Sequence, residues 1–180
     1  MRFIHAISAL AFITLAACGQ AAAPTEAEAQ PAQGGGAQIS AADRAALMRA
    51  MSVTPDAHGQ VVNACEEKVT PQLVNVDLGG AVGTAVLAVI PGGPNTASCY
   101  GDGPGDMHLF RRTGSTFTEI HALTGAFLVV LGTSHAGVRD IVDGGPGMSH
   151  PVYWWNGSAY VQHGQIADSA MGDSAQIYPQ

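Results

Sequence analysis

Charge is scarce in this chain, and motifs that carry chemistry are scarcer. Asp, Glu, Lys and Arg make up 12% of the 180 residues, seven basic against fourteen acidic, for a formal net charge of -7. The basic residues are scattered apart from the pair Arg111 and Arg112. That excludes the clustered positive footprint of a nucleic-acid binder and the polybasic patch that holds a protein to anionic lipid. Three cysteines are present without any C-x-x-C spacing, so a redox or zinc-ribbon motif is missing. Neither H-x-x-x-H nor H-E-x-x-H occurs, which removes the helical zinc signature. The run Gly145 to Pro151 has Gly147, Met148, Ser149 and His150 in superficial likeness to G-x-S-x-G, but Pro151 stands at the second glycine. No helix follows for a nucleophile elbow to enter. The longest apolar stretch, 3–15, is too short to cross a bilayer core of about 30 Å.

What is present begins at the amino end. Arg2 precedes that apolar stretch, which closes on Leu15, Ala16, Ala17 and Cys18. The pattern resembles the lipobox of bacterial lipoproteins. The resemblance implies a signal peptide over residues 1–17, cleavage before Cys18, a diacylglyceryl group on its thiol and an acylated new amino terminus. Each buried methylene contributes about 0.8 kcal/mol, so two or three acyl chains anchor a protein where one does not. Gly19 follows the cysteine where inner-membrane retention places aspartate, which points to the outer membrane, facing the periplasm. A small-residue site before a chance cysteine is the ordinary secretory alternative. Residues 18–38 then form a linker of Ala, Gln, Pro, Glu, Gly and Thr, too poor in large apolar side chains to order itself.

Export sets the context for Cys65 and Cys99, the cysteines left once Cys18 is assigned. A secreted setting favours a disulfide between them, contributing roughly 3 to 4 kcal/mol in the chain-entropy model. A reactive or metal-binding thiol pair is the alternative and lacks its usual spacing.

Residues 39–168 read as one β-rich domain followed by a tail, 169–180. Ser40 with Asp43 resembles a capping box ahead of Leu47, Met48, Ala50 and Met51, which predicts a short helix over 41–52 that packs on the domain. Beyond it, short apolar runs broken by Gly, Pro and Asn predict strands at 60–64, 72–78, 85–90, 107–112, 117–123, 127–131, 139–142, 152–156 and 159–164. Val74, Val76 and Leu78 alternate with Asn75 and Asp77. The runs AVLAVI and FLVVL are apolar at every position, as in strands covered on both faces.

An internal likeness organises the second half. LFRRTGSTFTEI (109–120) aligns without gaps on VYWWNGSAYVQH (152–163), each a hairpin with Thr113-Gly114 or Asn156-Gly157 at its turn. The offset of 43 residues falls in the range of four-stranded propeller-blade units, about 40 to 45. With VNVDLGG (74–80) and GVRDIVDGG (137–145), the layout resembles the FG-GAP or VCBS-type repeats of integrin-like propellers. The resemblance implies two repeats, 72–122 and 127–165, forming two four-stranded blade-like antiparallel sheets packed together, with one short N-terminal helix. Two units are too few to close a propeller.

Site residues are sparse. The calcium loop that the resemblance would supply keeps only Asp77 in the first copy, and Asp140 and Asp143 in the second. Asp102 and Asp106, set among glycines, could ligate a cation or form a polar turn. His108, His121, His135, His150 and His163 recur at near-even spacing, and zinc would need three or four of them to converge. Trp154 and Trp155 are neighbours on one strand and point to opposite faces; one is expected in the core and the other free to stack on a sugar or a partner. No cofactor is expected. The reading is a membrane-anchored envelope lipoprotein presenting a binding or interaction module to an envelope protein or glycan. The alternative is a periplasmic hydrolase with Asp and His residues gathered in a cleft.

Overall fold

The computed structural model describes residues 38–101 and 103–180. The signal, Cys18, nearly all of the linker and Asp102 lie outside the described residues. Helix α1, Ala41–Ala50, starts at Ser40, whose hydroxyl accepts the Asp43 amide at 3.1 Å, the capping geometry expected of that pair. The chain then forms two short strands, β1 (Val61–Val62) and β2 (Lys68–Val69), followed by β3 (Gln72–Gly79) and β4 (Gly83–Pro91). A 3-10 turn, Gly93–Asn95, and a second helix, α2 (Thr96–Tyr100), lead into β5 (Gly105–Thr113) and β6 (Thr116–Thr124). The remainder is β7 (Phe127–His135), β8 (Val138–Gly144), β9 (Ser149–Trp155), β10 (Tyr160–Ala167), a 3-10 turn at Asp168–Ala170 and β11 (Gln176–Tyr178).

Strands β3 to β6 form a four-stranded antiparallel meander in chain order. Strands β7 to β10 form a second such meander, to which β11 adds beside β7. The aligned segments therefore occupy the third and fourth strands of their meanders, β5–β6 and β9–β10. The domain is mainly β, as its sequence predicts, but the sheet count differs. Among the described residues the second sheet has five strands, β1 and β2 make a sheet of their own, and there are two helices. The fifth strand comes from the tail: Tyr178 packs against the central core while Met171 and Ala175 pack on the outer face of the second sheet.

The core explains the runs that lack alternation. From β4, Ala85, Leu87 and Val89 point between the large sheets, joining Val76, Leu78, Met107 and Leu109 from one side and Leu128, Val130, Ile141 and Trp155 from the other. The intervening Val86 and Ala88 point away and are covered, with Phe110, by Leu47 and Met48 of α1. β7 repeats the arrangement, with Leu128 and Val130 inward and Val129 and Leu131 under the tail. Full burial of each such side chain contributes about 1.5 to 3 kcal/mol.

Two glycine turns meet at the seam. Gly80, between β3 and β4, has φ +51°, and a Cβ there would strike the carbonyl of Gly137, the turn residue between β7 and β8. Cys65 and Cys99 are disulfide-bonded, with Cα atoms 5.8 Å apart, joining the β1–β2 loop to α2. Beside this bond Asn63 is buried and fully engaged. Its Nδ2 donates to the carbonyls of Pro91 (3.0 Å) and Gly92 (3.1 Å), and its Oδ1 accepts the amides of Cys65 and Glu67, both at 2.9 Å. The Tyr100 hydroxyl accepts the Ala64 amide at 3.0 Å and donates to Asp106 at the same distance.

Candidate functional site

The evenly spaced histidines do not gather at one point, though His135 and His163 both stack on Trp154; four of the five each take a carboxylate partner. His108 Nδ1 lies 2.7 Å from Glu119, His121 Nε2 2.7 Å from Asp143, His135 Nδ1 2.7 Å from Asp140 and His150 Nε2 2.6 Å from Asp168. The pairs are spread over both sheets. Among the described residues no three of His, Cys, Asp and Glu are grouped to hold a metal ion.

Of the candidate cation ligands, Asp106, Asp140 and Asp143 are engaged by protein groups, and Asp102 lies outside the described residues. Asp106 accepts from Tyr100 and, at 2.6 Å, from the Thr124 hydroxyl. Asp140 is buried and accepts from Thr133 at 2.6 Å besides its imidazole. Asp143 of β8 bridges the sheets through His121 of β6, and its carboxylate acts on the Tyr153 phenol of β9. Burial, with the Asp143 hydrogen bond and charge behind it, pushes the Tyr153 phenol up to about 12. Burial likewise raises Tyr160, whose hydroxyl donates to the Arg139 carbonyl at 2.7 Å. Ser149 donates to Gln165 at 3.1 Å, while His150 beside it is turned to the opposite side of the strand and buried. Neither a nucleophile elbow nor a cleft of acids and histidines is assembled from these residues.

The tryptophans part as their adjacency predicts. Trp155 is in the core, edge-on to Tyr160 at 5.6 Å, with the Arg111 guanidinium 5.9 Å from its ring centre. Trp154 is on the outer face, between His135 (centroids 3.3 Å apart) and His163 (3.1 Å), each ring tilted 17° from it. Both faces of the Trp154 indole are thus covered by imidazoles, and neither tryptophan offers a bare ring to a sugar.

An open groove lies beside helix α1, on the outer side of the first large sheet. Helix α1 presents Ala41, Arg44, Ala45, Met48 and Arg49 to this groove of about 390 Å³, closed opposite by Val53, Thr54, Pro55, Gly59 and Pro71. The helical positions are i, i+3, i+4, i+7 and i+8, one continuous stripe. Arg44 donates to the Pro71 carbonyl at 3.2 Å. The acids nearest in sequence are already paired: Asp43 bonds to Arg112 and Asp56 to Lys68 at 3.0 Å. Those cations hold both carboxyls below the usual carboxylate range, through hydrogen bonds first of all. The stripe that the sequence offers as a packing face is a different one, Leu47, Met48, Ala50 and Met51, and of these only Met48 also lines the groove. The signal that could have found it was two arginines among alanines at helical spacing. A smaller space of about 220 Å³ lies beneath the tail, lined by Phe127, Val129, His150, Asp168, Met171 and Ile177 among others.

No protein-family model, characterised protein or solved structure matches this chain.

Proposed function

We propose that this protein is an envelope lipoprotein, held by acyl chains on Cys18 at the outer membrane and facing the periplasm. There it presents its β-domain as a binding module. The groove beside α1 is the observation that carries the binding part of this reading. Its volume of about 390 Å³ lies in the range of small-molecule sites, about 300 to 1,000 Å³, and its walls are mainly apolar with a few polar groups. The Cys65–Cys99 bond supports the exported address, since such bonds persist in oxidising compartments. The likeness of the two meanders to blade-type repeats belongs to the same proposal, as one unit doubled within the chain. The hydrolase alternative draws no support from the described residues, whose acids and histidines are held apart in separate pairs.

Membrane fractionation tests the address. The natural chain is expected in the outer-membrane fraction and the Cys18→Ser chain outside it. Mass spectrometry that finds an intact leader, or Cys18 with a free thiol, overturns the anchor. A pull-down from solubilised envelope with the natural chain then identifies any protein partner.

A further inference from the structure

We propose that the groove beside helix α1 binds a single-chain fatty-acyl carboxylate, an inference that rests on the binding-module reading above. Arg44 and Arg49 both line it. Arg44 has only a backbone carbonyl as partner, and the Arg49 side chain has no hydrogen-bond or ion-pair partner among the described residues. With Asp43 and Asp56 neutralised by other cations, this edge is electropositive in a chain whose net charge is -7. One guanidinium presents a planar fork that matches the two oxygens of a carboxylate.

The walls favour an alkyl chain over a peptide. Ala45, Met48 and Val53 offer no hydrogen bonds from their side chains, and methionine adapts its shape to irregular apolar guests. Pro55 and Pro71 have no N–H, and the Pro71 carbonyl is already taken by Arg44, so an extended peptide would find few backbone partners here. A volume near the lower limit for ligand sites suits one chain better than the two of a phospholipid.

The test is photolabelling of the full chain, both in envelope membranes and purified, with a palmitic-acid analogue carrying a mid-chain diazirine. The matching alcohol and the matching phospholipid serve as the other arms. Labelling by the acid should fall on peptides within 41–71 and drop at least tenfold in the chain carrying Arg44→Gln and Arg49→Gln. An unchanged melting curve establishes that this variant is folded, and Arg49→Gln alone, which removes no described contact, should still cost severalfold. Equal labelling by the alcohol, stronger labelling by the phospholipid, labelling elsewhere or an unaffected double variant overturns the proposal. Labelling of purified chain does not depend on membrane attachment, so failure of the anchor and failure of the groove are read separately.

Discussion

Alanine at Gly80, compared with alanine at Gly83, separates the energy of a turn conformation from the energy of contact between the two large sheets. Both glycines have positive φ, +51° for Gly80 in the β3–β4 turn and +64° for Gly83, which opens β4. An L-residue in that conformation costs roughly 1 to 2 kcal/mol. A Cβ on Gly83 meets nothing within 4 Å, so Gly83→Ala should lose about that much and no more. A Cβ on Gly80 meets the backbone carbonyl of Gly137, with the carbonyl carbon at 2.7 Å. Backbone cannot swing aside as a side chain can, so the seam must part. Forced overpacking adds typically 1 to 3 kcal/mol, and with about 2 kcal/mol taken for it Gly80→Ala should cost about 3 to 4 kcal/mol in all. For a domain of this size the extra 2 kcal/mol corresponds to roughly 6 °C in melting temperature. Thermal and urea unfolding of both variants, followed by circular dichroism, measure it. If the two lose equal stability, the turns of the two meanders do not touch as described.

Asn63→Asp should cost about 2 to 3 kcal/mol in urea unfolding, because the Pro91 and Gly92 carbonyls lose their donor and face a buried carboxylate instead. Cys99→Ser should lower stability by roughly 3 to 4 kcal/mol, the loop-closure entropy of a bond spanning 34 residues, and a reductant should then have no further effect on its melting. Tyr153 makes stability fall in alkali. Its neutral form is favoured in the fold, so the contribution is complete below the unfolded value of 10.0 and is lost as pH rises from there through about 12. Melting temperatures across that interval, with phenolate absorbance as the second readout, should decline less steeply in Tyr153→Phe. Phe110→Ala, at a fully buried position beneath α1, should cost about 3 to 5 kcal/mol.

Much of the architecture was legible because it follows from which faces must be covered. Val76 and Leu78 lie in the core with Val74 packed against it, as their alternation with Asn75 and Asp77 predicts. The doubly apolar runs at 85–90 and 127–131 are indeed covered on both sides. The fifth strand was not legible. Gln176, Ile177 and Tyr178 carry little pattern of their own, and they pair because β7 has a free edge beside them. Helix α2 was hidden for a similar reason: Thr96–Tyr100 is one turn long, and it is held by the disulfide and the Tyr100 hydroxyl rather than by helix propensity. The regular spacing of the histidines marks no common site: four take separate acids, and His163 instead stacks with His135 on the two faces of Trp154. The groove depends on where the 53–59 loop and Pro71 come to rest against α1, which no local pattern encodes.

The corner built from β1, β2 and α2 is fastened by a covalent bond and by Asn63, yet its own apolar cluster holds only Val61, Val69 and Ile90, with Met51 and Val53 at the margin. So small a nucleus should exchange its amides well before the large sheets do. The sulfur bridge would keep such an excursion short and reversible. Val53 is also a wall of the groove, so opening of this corner should loosen that wall while the large sheets stay closed.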